Sequence, residues 1–227
     1  MRRRGDEMKA LSSSSCRVNI YRLILASIQP THEDWLTWES LRPIAAAIRK
    51  SRQRVEKLTG DCIEDEIIPE LLLVENLLGT AFVISQVSIN QVVSSVKQLH
   101  ARFENQKRPS FPVADKSRLG ILRIGADKPK NCSYTRVELI DAAANYFKHG
   151  SEWRGPWEDL KNMQKTTAVI ISAGGASRKS RDNLTKISEF LGKDSHQNVL
   201  LLAEILEKWR TTVHDTYQET LKTTKLI

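Results

Sequence analysis

Residues 67–93 form the most apolar stretch of the chain, and they limit the fold more than any other feature. Pro69 suits a first helical turn. The pattern after it stays apolar almost all round through residues 71–73, Val74, Leu77, Leu78 and residues 81–84. A helix of that kind is buried on most sides. Glu70, Glu75, Asn76, Gln86, Asn90 and Gln91 interrupt the run. A lipid span would have to bury all six, which is costly, so the expectation is a core helix and no membrane. Further on the pattern becomes one-sided, with Ile89, Val92, Val96, Leu99 and Phe103. Unbroken over 64–105, such a helix would span about 60 Å. That is long for a compact domain, so a break is expected near Gly79 or at residues 85–88.

The segments around this run also carry helical periodicity. Residues 16–29 are short, apolar and helical, and end at Gln29-Pro30. Thr31 is a plausible N-cap for a helix with Trp35, Trp38, Leu41, Ile44, Ala45 and Ile48 on one face. That helix is expected to run past Lys57 and stop before Gly60, with Pro43 as a kink or as its true start. Thr135-Arg136-Val137-Glu138 is a capping box opening a helix to about His149, with Gly150 as its stop. Pro156 introduces a helix from Trp157 to about Ser172, ended by Gly174-Gly175. Asn183 to Leu191 is short and helical, ending at Gly192. Asp194 or Ser195 then caps a long amphipathic helix with the stripe Val199, Leu202, Leu206, Trp209, Val213, Tyr217 and Leu221. No sequential strands and no fixed repeat are visible. The predicted fold is all-α: a bundle of six or seven helices, one long central helix and a basic irregular insertion at 107–134. The octet RLGILRIG inside that insertion fits a short strand or an extended arm, and periodicity does not decide between them. Residues 1–15 read as a disordered basic tail and 16–227 as one domain.

Charge is unevenly placed along the 227 residues, whose formal net charge is +8. Residues 1–60 carry 12 basic and 6 acidic groups, 61–106 carry 2 and 7, and 107–136 carry 8 and 2. Two basic segments therefore flank an acidic, apolar one, and basic surfaces suit a polyanion. The start, MRRRGDEMKALSSSSC, has no apolar core of a signal peptide. Cys16, Cys62 and Cys132 form no CxxC pair and fit reduced thiols, so the expected location is the cytoplasm. His32, His100, His196 and His214 lack metal-ligand spacing, and no metal or cofactor is expected. Gly174 to Ser180 lacks the spacing of a phosphate loop. The five tryptophans read as packing anchors, with Trp153 and Trp157 fixing the corner after the 136–149 helix.

The 136–149 helix holds the strongest functional pattern. At about 100° per residue, Glu138, Asp141, Asn145, His149 and Glu152 fall on one arc, apart from the apolar stripe of Val137, Ile140, Ala144 and Phe147. An acid, an amide and an imidazole along one line can position a proton-transfer group, with His149 the natural candidate. Each member also has a structural explanation, as capping, dipole or solvated residues.

The string Ala143-Ala144-Asn145-Tyr146-Phe147-Lys148-His149, with Ser151-Glu152-Trp153 after it, resembles the motif helix of HEPN-type helical proteins. Many members of that family are metal-independent RNases of toxin and phage-defence systems. The resemblance implies an all-α homodimer with a composite cleft, RNA as partner, and catalytic roles for His149 and Asn145. Ala144 stands where the family carries an arginine. That substitution leaves Lys148, Arg136 or Arg154 to contact the phosphate, and leaves a binding-only version open. Glu138 and Asp141 are supporting residues on this view. Glu75 is a buried carboxylate that needs a partner: a base on a neighbouring helix, or Asn145 and His149 across a cleft. Two alternatives remain: a non-catalytic helical module that binds a protein partner, and a nonspecific nucleic-acid binder.

Overall fold

One unbroken helix of 42 residues, Ile63–Glu104, organises the molecule. The computed structural model describes residues 20–30, 34–58, 63–105, 115–153, 155–192 and 199–224. Among these there are eight α-helices and no strand. They are α1 (20–28), α2 (Asp34–Val55), α3 (Ile63–Glu104), α4 (Arg118–Leu122), α5 (Arg136–His149), α6 (Asn162–Ala173), α7 (Asn183–Leu191) and α8 (Leu200–Thr223). Two 3₁₀ turns, Gly150–Glu152 and Trp157–Asp159, link α5 to α6. The all-α bundle with a long central helix is the fold that the apolar periodicity predicts.

The expected break in α3 is absent, so the helix runs about 63 Å. Neighbours cover it in relay: α2, α5 and α7, then α8, with α4 at one side. Gly79 is a contact point, since a Cβ there would lie 2.1 Å from the Phe147 ring. Ser85 and Ser88 are buried, and Ser88 accepts from Arg210 at 3.3 Å. The small residues thus let neighbours approach rather than end the helix. By length and composition alone α3 is able to cross a membrane. In this structure Glu70, Glu75 and Gln86 are hydrogen-bonded to α2, α7 and α5.

Several boundaries differ from those expected. Pro43 lies inside α2 and is not its start, and α2 ends at Val55 rather than beyond Lys57. Pro69 is the seventh residue of α3, on an exposed face where water can serve the freed carbonyl. Helix α6 begins at Asn162, and the segment from Trp157 forms a 3₁₀ turn. The octet RLGILRIG is neither strand nor arm: it contains α4, capped by Ser117, whose Oγ accepts from Gly120 N at 3.0 Å. Ile121 and Leu122 are fully buried, and Trp209 Nε1 donates to the Ile121 carbonyl at 3.4 Å. Burying two adjacent apolar side chains in the core folds the segment down. The tail at 1–15, Cys16, the Thr31 cap, the Gly60 stop, Cys62 and the Asp194 or Ser195 cap lie outside the described residues.

One core contact carries a pH dependence. His100 of α3 is buried, its Nε2 lies 2.9 Å from Tyr217 Oη, and the rings meet edge-to-face. Burial holds its pKa below the ordinary value of about 6.5, Glu104 offsets part of this, and Lys116 adds to it. The unfolded chain therefore binds this proton more readily than the folded one. Stability from His100 is fully present above the unfolded pKa and falls as pH drops from there toward the folded pKa. Urea unfolding at pH 8 and pH 5.5 should show this loss, and His100→Gln should remove the histidine's share of it. An equal pH dependence in the two proteins would contradict the assignment.

Candidate functional site

Helix α5 starts with both halves of its capping box made. Thr135 Oγ1 accepts from Glu138 N at 3.1 Å, and Glu138 Oε2 accepts from Thr135 N at 2.7 Å. The Glu138 side chain is fully buried, and Arg123 Nε donates to its other oxygen at 2.8 Å. Val137, Ile140 and Ala144 face the core, as their stripe predicts.

One turn on, the polar arc meets α3. Gln86 stands opposite, almost fully buried, and is the centre of a ladder. Its amide nitrogen donates to Asp141 Oδ1 at 2.7 Å and to Asn145 Oδ1 at 3.0 Å. Its amide oxygen accepts from Lys148 Nζ at 2.6 Å. Arg118 clamps Asp141 from α4, with Nε to Oδ2 at 3.0 Å and Nη2 to Oδ1 at 2.5 Å. Arg118 Nη2 also donates to Asn90 Oδ1 at 2.7 Å. Bidentate arginine–carboxylate geometry of this kind fixes both partners.

His149 lies beyond the ladder, in the last turn. Its side chain is 52% exposed, and Nδ1 is 3.3 Å from Glu152 Oε1. A carboxylate on Nδ1 orients an imidazole so that Nε2 faces outward, the arrangement of an acid or base awaiting substrate. Beside it, Tyr146, Trp153 and Trp157 pack edge-to-face with centroids 5.5 to 6.0 Å apart. Asn183 Nδ2 donates to Tyr146 Oη at 2.9 Å. The two tryptophans thus brace this corner of the fold.

The predicted residues divide into three groups. Asn145 and Lys148 share Gln86 and approach the surface where His149 stands. Arg136 does not: it opens α5, about 20 Å of helix from His149. Its Nε donates to the Leu191 carbonyl at 3.0 Å and its Nη1 to Asp127 at 2.5 Å. Glu75 does not face Asn145 and His149 either, nor does it meet a basic side chain there. Its carboxylate accepts from Leu184 N at 3.0 Å, Thr185 N at 2.8 Å and Thr185 Oγ1 at 2.5 Å. It therefore caps the N-terminus of α7, where unpaired N–H groups favour an anion. Burial raises its pKa, and these hydrogen bonds offset part of the rise. Arg154 lies outside the described residues.

Sequence reasoning missed Arg118, Arg123 and the role of Gln86. Gln86 and Asn90, two amides one turn apart in an apolar helix, were a usable signal. Arg118 had none, because the fold of its segment was undecided. Among the described residues no three His, Cys, Asp or Glu side chains converge as metal ligands. No family model, no curated protein and no solved structure matches this chain.

Proposed function

We propose that the outer edge of α5 engages RNA, as the HEPN-like motif suggests, with His149 as its proton-transfer group. The observation that carries this reading is the exposed His149–Glu152 pair next to a lysine that Gln86 holds in place. Lys148 keeps further N–H donors for a phosphate. An imidazole with an outward Nε2 can take the proton from an RNA 2′-OH, which then attacks the adjacent phosphorus. DNA lacks that hydroxyl and is spared. Position 144 faces the core, so an arginine there could not reach the same edge without repacking α5. Lys148 is the cation left for the phosphate, and a second copy facing this edge would supply another.

The test is cleavage of mixed cellular RNA in chelator, wild type against His149→Ala. Because His149 is half exposed, the variant should fold normally and lose activity by at least about 10²-fold, the usual share of acid–base catalysis. Intact RNA with folded wild type, or equal cleavage by both proteins, rejects the reading.

A further inference from the structure

The first turns of α3 extend past the packed part of the bundle. Ile68, Leu71, Leu72 and Leu73 are 46, 54, 48 and 40% exposed there. On one side of this segment lies a groove of about 430 Å³, closed by the end of α2 and the start of α7. Val55, Ile68, Leu71, Leu72 and Val74 supply its apolar walls. That volume lies within the range of small-ligand sites, about 300–1,000 Å³.

The polar groups around the groove are unequal. Glu70 is taken by Arg54 and Ser51, Glu75 by the α7 amides, and Asp182 by Ser180 and Lys186. The basic residues Arg52 and Arg181 line the same groove, and Glu56 stands on its exposed side. Arg52 Nε is buried and has no hydrogen-bond partner. A buried donor left unpaired costs about 1–3 kcal/mol, and an incoming acceptor would relieve that cost.

We propose that this groove binds a free single-chain carboxylate of fatty-acid type, its alkyl chain along Leu71 and Leu72 and its carboxylate on Arg52 Nε. The site is separate from the α5 edge, so it stands or falls independently of RNA engagement. An apolar wall ending at one guanidinium selects a chain with a single anionic head.

Dodecanoate, kept below its micellar concentration, is titrated into the full chain by calorimetry. Dodecanol, dodecyltrimethylammonium and anionic phospholipid vesicles serve as comparison probes. The expected result is saturable one-to-one binding of dodecanoate, at least about ten-fold weaker with Arg52→Met and abolished by Leu72→Glu. Leu72 is half exposed, so that variant should keep the fold, which circular dichroism checks. The proposal is overturned if dodecanoate fails to saturate, or if dodecanol or the cation binds equally well. It is also overturned if only vesicles bind, or if both variants bind like wild type.

Discussion

Arg210→Met lowers the free energy of unfolding by about 3 kcal/mol, from the charged hydrogen bonds it removes. Arg210 is 2% exposed on α8. Its Nε donates to the Ile28 carbonyl at 3.1 Å, and Nη2 lies 3.4 Å from the carbonyls of Ser27 and Gln29. Nη1 reaches Ser88 Oγ of α3 at 3.3 Å. The last carbonyls of any helix lack intrahelical partners and carry the negative end of its dipole. One planar guanidinium thus closes the end of α1 and ties it to α3 and α8. Methionine fills similar space but leaves the buried carbonyls unsatisfied. Urea unfolding measures the loss, and hydrogen exchange should show the amides of α1 opening first. Lysine, with a single compact ammonium, should recover only a part. A loss below about 1 kcal/mol would mean that water serves these carbonyls instead.

Asp141→Ala should cost about 2 kcal/mol and loosen α4 before the rest of the molecule. The carboxylate is 10% exposed and receives two donors from Arg118 and one from Gln86. Charged hydrogen bonds contribute about 1.5–3 kcal/mol each when buried. Arg118 is 32% exposed, so solvent screens part of that sum. A double-mutant cycle with Arg118→Ala should give a coupling of about 1 kcal/mol. Exchange at residues 118–123 should accelerate in Asp141→Ala and in Arg118→Ala alike. Additive single effects would show that the two side chains are neighbours without being partners.

The candidate site was half legible. The 100° spacing correctly grouped Glu138, Asp141 and Asn145, because helical angle is a property of local sequence. It could not tell which of them a neighbour covers. Glu138 and Asp141 turn inward to Arg123 and Arg118, whereas His149 is left in the open because α5 outlasts its packing on α3. Glu75 was rightly singled out as a buried carboxylate needing partners. Its partners lie 109 and 110 residues away, on backbone amides that carry no sequence signature.

What the chain itself determined is local: the capping box before α5, α7 from Asn183 to the stop at Gly192, and the stripe of α8. Each depends on residues within about one turn of each other, where propensity, capping and periodicity act directly. Tertiary structure decided the rest. It kept α3 whole by covering it with neighbour after neighbour, and it folded the RLGILRIG octet into a short helix by burying Ile121 and Leu122. It also joined Gln86 to Asp141 and Arg210 to Ile28, across 55 and 182 residues. Buried polar groups must find partners wherever the chain has placed them, and that place exists only once the helices have packed.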